Sequence, residues 1–255
     1  MCVGNVGRRV VRYARALGMQ VLQNDPPRAR SEGNHGFSEL AEVADADFVT
    51  LHVPLTRDSP DATRHLFDAH RLRRLRTGAV LVNTSRGAVV DNPALREALR
   101  AGALGGAVLD VWEGEPLPDP ELIESVDIAT PHIAGYSLDG KLAGTESVAL
   151  AACRHFGVEP SWRAASGFPS PAAQIVLPAE LDHEAAVRLA AHTAYDVLRD
   201  DSAMRTLLRL PVSDRAQAFD RLRREYPARR EFHAHVIAGA AGGVETTLRA
   251  LGFRA

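Results

Sequence analysis

Three short apolar runs, each ending abruptly in polar residues, constrain this chain more than any other feature. Residues 79–83 run into TSRG, 105–109 into DVWEGEP, and 126–129 into TPHIAG. Runs of this length, separated by helical stretches, are the pattern of parallel strands in an α/β sheet. In such sheets ligands bind beyond the carboxyl ends of the strands. Arg86, Glu115 and His132 lie just past three such ends, so residues far apart in sequence can converge on one pocket.

Together these three side chains suit one chemistry. An arginine fork holds a carboxylate bidentately and polarises an adjacent carbonyl. Histidine takes or gives a proton near neutral pH, and a carboxylate beside it fixes the ring tautomer. With a nicotinamide nearby, the set suits hydride transfer from a 2-hydroxy acid, His132 removing the hydroxyl proton. Taken singly, Arg86 reads as a loop salt bridge, Glu115 as a turn residue and His132 as a buried, hydrogen-bonded ring.

The N-terminal residues point to the same cofactor. Gly4-Asn5-Val6-Gly7, preceded by Cys2, resembles the dinucleotide-binding G-x-G-x-x-G with cysteine in place of the first glycine. A helix follows, with Val10, Val11, Ala14 and Leu17 on one face and a stop near Gly18. Gly4 lets backbone approach a pyrophosphate, which sits on the helix N-terminus, and Gly7 lets the helix pack closely. Residues 20–24 read as a strand ending at Asp25, about 20 residues past the glycines, where a ribose-binding carboxylate belongs. Its charge favours NAD over NADP. As a plain structural residue, Asp25 would be a turn former ahead of Pro26-Pro27.

A strand is also expected immediately before the glycine loop, and only Met1 stands there. In the strand order 3-2-1-4-5-6 that strand is central. The expectation is therefore an N-terminally shortened domain, in which strands near 20–24 and 47–51 lose their link to those near 79–83, 105–109 and 126–129. Further along come a Gly33–Gly36 loop, a short helix over 38–43, the strand 47–51 running into His52-Val53-Pro54, and a helix over 68–75. His52 is expected to be held by local hydrogen bonds.

Beyond a helix reaching His155 the composition changes. Residues 158–180, rich in proline with serine and glycine, read as a linker with a short strand at 174–177. An α+β module is expected over 181–255, with helices at 183–199 and 214–224, a strand at 232–237 and a last helix stopping at Gly252. His233 and His235 share a face of that strand but lack a third ligand, so no metal site is assigned. The remaining composition is that of an ordinary globular chain: 255 residues, 45% hydrophobic, 24% charged. A net charge of −2 provides no field to recruit nucleic acid or an anionic membrane. No run is apolar for long enough to span a bilayer, and two cysteines, Cys2 and Cys153, suit a reducing cytosol.

At NTSRGAVVDN, LDVWEGEP and TPHIAG the sequence resembles the D-2-hydroxyacid dehydrogenase family, over most of residues 4–157. The resemblance implies an α/β fold with a Rossmann-type doubly wound parallel sheet, its first strand missing, over 1–157. It also implies NAD as cofactor and Arg86, Glu115 and His132 as catalytic residues. By the same matching Gly4, Asn5, Val6, Gly7, Asp25, Val53, Thr84, Ser85, Arg86, Asp110 and Gly135 line the cofactor. HIAGYSLDGK and the terminal LGFRA resemble the branch of the family that carries an extra C-terminal dimerisation domain. That branch implies a small phosphorylated 2-hydroxy acid as substrate, contacted by Tyr136, and a cytoplasmic homodimer. The alternatives are another 2-hydroxy acid substrate, or a non-catalytic remnant that retains only dimerisation.

Overall fold

The computed structural model describes residues 1–33, 35–164 and 174–255. Part of the 158–180 linker, and Asn34 of the Gly33–Gly36 loop, therefore lie outside the described residues. Two compact units emerge. The first comprises Met1–Ile133 with Val197–Glu225, and the second Ala134–Asp196 with Tyr226–Ala255. These units interleave along the chain, unlike the linear division read from the sequence.

The first unit is built on four parallel strands in the order β1-β2-β3-β4: Phe48–Leu51, Val80–Asn83, Gly106–Leu109 and Ile128–Ala129. Their register aligns Leu51 with Asn83, Asn83 with Leu109, and Leu109 with Ala129, so all four carboxyl ends stand at one edge. The helices between them start where the sequence supplies caps. Asp68 accepts from Arg71 N ahead of α3 (Ala69–Arg74), and Asp91 from Ala94 N ahead of α4 (Asn92–Arg100). Asp119 accepts from Glu121 N ahead of α5 (Pro120–Ser125). Each caps a donor that the first helical turn leaves unpaired. Leu51, Leu72, Leu81, Leu95, Leu109 and Leu122 are fully buried in one core.

That core recruits residues from far along the chain. Met204, Leu207, Ala218 and Phe219, from α8 (Val197–Arg205), a 3-10 turn and α9 (Val212–Arg224), belong to it. The same segment closes the sheet edge. Ala129 N donates to Asp201 Oδ1 at 2.8 Å, and Arg205 donates to Ile123 O and Val126 O at 2.9 and 2.8 Å. An open strand edge invites pairing with other chains, and this clamp supplies partners in its place.

Several expectations need correction. The strand of 47–51 keeps its link to the sheet, because β1 pairs directly with β2. Residues 20–24 do not form a strand. The physical reason lies beside them. Met1 N donates to Thr50 O and His52 N to Met1 O, at 2.7 and 3.0 Å. On the other side Cys2 N donates to Asn24 O at 2.8 Å. Below these two bridging residues a groove of about 680 Å³ separates 19–23 from β1, so no continuous ladder reaches that stretch. The helix expected at 38–43 is a 3-10 turn at Glu42–Asp45.

The second unit holds α6 (Leu138–Phe156), capped by Ser137 and ended by Gly157 at φ 65°. It also holds β5 (Gln174–Val176) paired in parallel with β6 (Val236–Ala238), α7 (His183–Ala194), and α10 (Gly242–Leu251). The single helix expected over 183–199 is broken at Tyr195 and Asp196, where the chain passes from one unit to the other. The strand expected at 232–237 starts late, because Phe232–Ala234 form a 3-10 turn whose phenyl ring stacks on Phe253 at 4.4 Å. His233 and His235 therefore do not share a strand face: His233 is exposed and bonds to Asp139, while His235 is buried.

Candidate active site

The site is assembled by loops leaving the carboxyl ends of β2, β3 and β4. Asp110 follows β3 and is buried. Its Oδ1 accepts from Thr130 Oγ1 at 2.6 Å and from Ile133 N at 2.7 Å. These bonds hold the turn after β4 around His132, whose φ of 57° places it in the left-handed region. Trp112 Nε1 donates to Thr130 O at 3.0 Å, tying the loop after β3 to the same turn.

Glu115 completes the assembly. One carboxylate oxygen accepts from Trp112 N at 2.8 Å, and the other lies 2.7 Å from His132 Nδ1. An ionised carboxylate only accepts, so Nδ1 donates to it, and in the neutral ring Nε2 then presents its lone pair. Nε2 has no hydrogen-bond partner among the described residues. The pair is partly shielded, with side chains 30% and 21% exposed. It forms an oriented base that solvent and a small ligand can both reach.

Arg86 stands on the loop after β2. Asn83 shapes that loop: its Oδ1 accepts from Ser85 N and Oγ, and its Nδ2 donates to Arg86 O. Arg86 Nη1 donates to Ser85 O at 2.6 Å, and its side chain is exposed. Among the described residues no hydrogen bond or ion pair joins Arg86 to Glu115 or His132. The structure therefore unites two of the three expected residues and presents the third on a neighbouring loop.

Of the elements expected to hold the cofactor, the glycine turn and its helix form, while the strand expected before Asp25 does not. α1 (Gly7–Ala16) starts at the second glycine, and Gly18 at φ 76° follows its end. A Cβ on Gly7 would lie 1.9 Å from Cys2 O, so only glycine lets the helix start against this backbone. Asp25 is buried and already occupied on both oxygens, accepting from Val3 N at 2.7 Å and from Arg28 N at 3.3 Å. The Cys2 thiol also bonds to this carboxylate. Val53 and Thr84 are half-buried and Ser85 is buried. His52 is held locally as expected, its Nε2 3.0 Å from Thr50 Oγ1, and burial, then the Met1 ammonium, push its pKa down to about 4. Gly135 and Tyr136 fall in the second unit. There the Tyr136 ring meets Tyr226 edge-on at 6.1 Å and Lys141 Nζ at 4.4 Å.

Sequence reasoning missed His65, Asn92 and Glu113, which join the loops carrying Arg86 and Glu115. His65 Nε2 lies 2.8 Å from Glu113 Oε1, and Asn92 exchanges two 3.0 Å bonds with Glu113. Only the polar residue types at these positions hinted at it.

Comparison with known proteins decides the family. A model described as the D-isomer specific 2-hydroxyacid dehydrogenase, NAD binding domain, matches residues 1–134. The chain belongs to that family. A second model, for a domain of unknown function, matches residues 169–252. Among curated relatives, an erythronate-4-phosphate dehydrogenase of Salinibacter ruber is 48% identical over 247 residues, covering 93% of this chain and 63% of that protein. One of Stutzerimonas stutzeri is 46% identical, covering 98% of this chain and 67% of its own length. The chain thus spans about two thirds of the length of these relatives. Among solved structures, a D-lactate dehydrogenase from Aquifex aeolicus, complexed with NAD and lactic acid, is 31% identical with a TM-score of 0.51. That match covers 61% of this chain and 52% of that one. A glyoxylate reductase from Paecilomyes thermophila is 29% identical with a TM-score of 0.52, covering 62% and 48%. Among the described residues of this family member, no helix is long and apolar enough to cross a membrane.

Proposed function

We propose that this chain carries the nucleotide-binding and proton-transfer machinery of an NAD-dependent erythronate-4-phosphate dehydrogenase. The reaction converts 4-phospho-D-erythronate to 2-oxo-3-hydroxy-4-phosphobutanoate, in the route to pyridoxal 5′-phosphate. The observation that carries this reading is the Glu115–His132 pair, locked at the carboxyl edge of the sheet with Nε2 available. The name shared by relatives 40–48% identical to this chain supports the substrate.

The glycine turn at 4–7, the N-terminus of α1 and Asp25 at the end of the next segment form a donor and acceptor set that fits NAD. Bound NAD supplies the hydride acceptor. The chain's own residues do the rest. Arg86 holds the substrate carboxylate and polarises the reacting carbon. His132 Nε2 takes the hydroxyl proton as the C2–H bond breaks and the carbonyl forms. Glu115 keeps Nδ1 protonated, so that Nε2 remains the acceptor. Val53, Thr84, Ser85, Asp110 and Gly135 line the cofactor, Asp110 also holding the His132 turn. Tyr136 contacts the substrate. The motifs HIAGYSLDGK and LGFRA support a homodimer built through the C-terminal region, and two unpaired cysteines suit the cytoplasm.

The decisive assay is NADH formation from 4-phosphoerythronate, with D-lactate and D-glycerate in parallel. Preferential oxidation of the phosphorylated acid is expected, and equal or greater turnover of the others would reject this substrate. Arg86→Lys is expected to reduce kcat/KM about 10²-fold while leaving NAD affinity intact, because lysine keeps the charge but loses the planar fork. Unchanged turnover would remove Arg86 from the reaction. Asp25→Ala is expected to weaken NAD binding and to narrow the preference over NADP, since the ribose acceptor and the repulsion of a 2′-phosphate vanish together. Titration of both nucleotides checks this, and an unaltered NAD affinity would sink the assignment.

A further inference from the structure

The loops carrying Arg86 and Glu115 come from different strands, yet their spacing must be accurate for one substrate to meet both. A misplacement of about 1 Å can lower turnover about 10²-fold. Direct contact between these loops is bare backbone: a Cβ on Gly87 would lie 2.0 Å from the Trp112 carbonyl and 2.6 Å from Glu113 N. What fixes the two backbones in that approach is polar. Glu113 Oε2 accepts from Asn92 N, and Asn92 Oδ1 accepts from Glu113 N, both at 3.0 Å. The Asn92 amide, 4% exposed, also donates to Val90 O at 3.0 Å and to Gly87 O at 3.5 Å. His65 closes the junction from a third loop. Its N–H donates to Ala88 O at 2.8 Å, while its ring reaches Glu113 Oε1 at 2.8 Å and Asp91 Oδ2 at 3.7 Å. To do so it takes φ of 48°, a conformation that non-glycine residues hold only when surrounding bonds compel it.

We propose that His65, Asn92 and Glu113 are positioning residues that set the Arg86 loop against the Trp112–Glu115 loop and thereby hold Glu115 on His132. Glu113 is the keystone. It is two residues from Glu115, and Trp112 N, next to it, is the second anchor of the Glu115 carboxylate. When Glu113 is released, Trp112 N and Glu115 lose their fixed frame, and His132 Nδ1 loses its acceptor. The proposal rests on the reading of Glu115 and His132 as the proton-transfer pair. Its primary test uses the ligand-free chain, so its failure is distinguishable from a wrong choice of substrate.

The experiment is 15N NMR of the histidine rings, with amide exchange at Trp112, in the full chain, two disrupting variants and one conservative variant. Glu113→Ala removes both carboxylate bonds. His65→Gly removes the ring and relieves the positive φ, which protects its folding. Far-UV circular dichroism establishes that each folds. In both variants His132 is expected to change from a single Nδ1–H tautomer to a mixture, with faster exchange of the Trp112 amide. Glu113→Gln, which keeps one acceptor oxygen, is expected to restore most of the parent spectrum. In the enzyme assay kcat is expected to fall about 10- to 100-fold with the KM for NAD unchanged. An unchanged His132 tautomer and Trp112 exchange in either folded variant would overturn the proposal. Loss of the fold in both variants would overturn it too, since the network would then be a general structural element.

Discussion

His132→Asn is expected to lower turnover by about 10²- to 10⁴-fold, the usual contribution of a positioned general base, while NAD affinity stays near that of the parent. Asparagine is the informative replacement because of the backbone. His132 sits at φ 57°, and asparagine tolerates the left-handed region better than other non-glycine residues. The turn pinned by Asp110 through Thr130 Oγ1 and Ile133 N should therefore survive. The amide can still meet Glu115, but it offers no base near neutral pH. Single-turnover NADH formation and nucleotide titration separate the two effects. Turnover within about threefold of the parent would remove His132 from the proton transfer, because a lost general base costs far more.

Phe219→Ala is expected to destabilise the first unit by about 3–5 kcal/mol, the range for truncating a large buried aromatic side chain. Phe219 is 0% exposed and packs in the core with the sheet leucines, although about 90 residues of sequence separate it from β4. Urea denaturation followed by Trp112 fluorescence reports on this unit, and a Trp162→Phe background silences the tryptophan of the second. A loss below about 1 kcal/mol would mean that 197–225 is an appendage to this core and not a part of it. Cutting the chain before residue 197 would do greater damage, removing Met204, Leu207 and Phe219 from the core and the Asp201–Arg205 clamp from the β4 edge.

The sequence by itself determined the parallel sheet and the segments that form its four strands, 47–51, 79–83, 105–109 and 126–129. The reason is locality. A buried parallel strand reads as a short apolar run that ends in polar residues. The readings of Gly4, Gly7, Asp25, Arg86, Glu115 and His132 as site residues rested on residue type beside a strand end or a helix start, and of these the structure joins Glu115 to His132. Tertiary structure alone decided four things. Residues 20–24 are left without a ladder because strand identity depends on a partner as well as on propensity. The 183–199 segment breaks at Tyr195 because its two halves serve different units, which no local pattern encodes. Residues 197–225 join the first core because an apolar helix face specifies that it is buried and not against what. Finally, His65, Asn92 and Glu113 meet across three loops through paired hydrogen bonds, and side chains far apart in sequence acquire that relation only when the sheet brings their loops together.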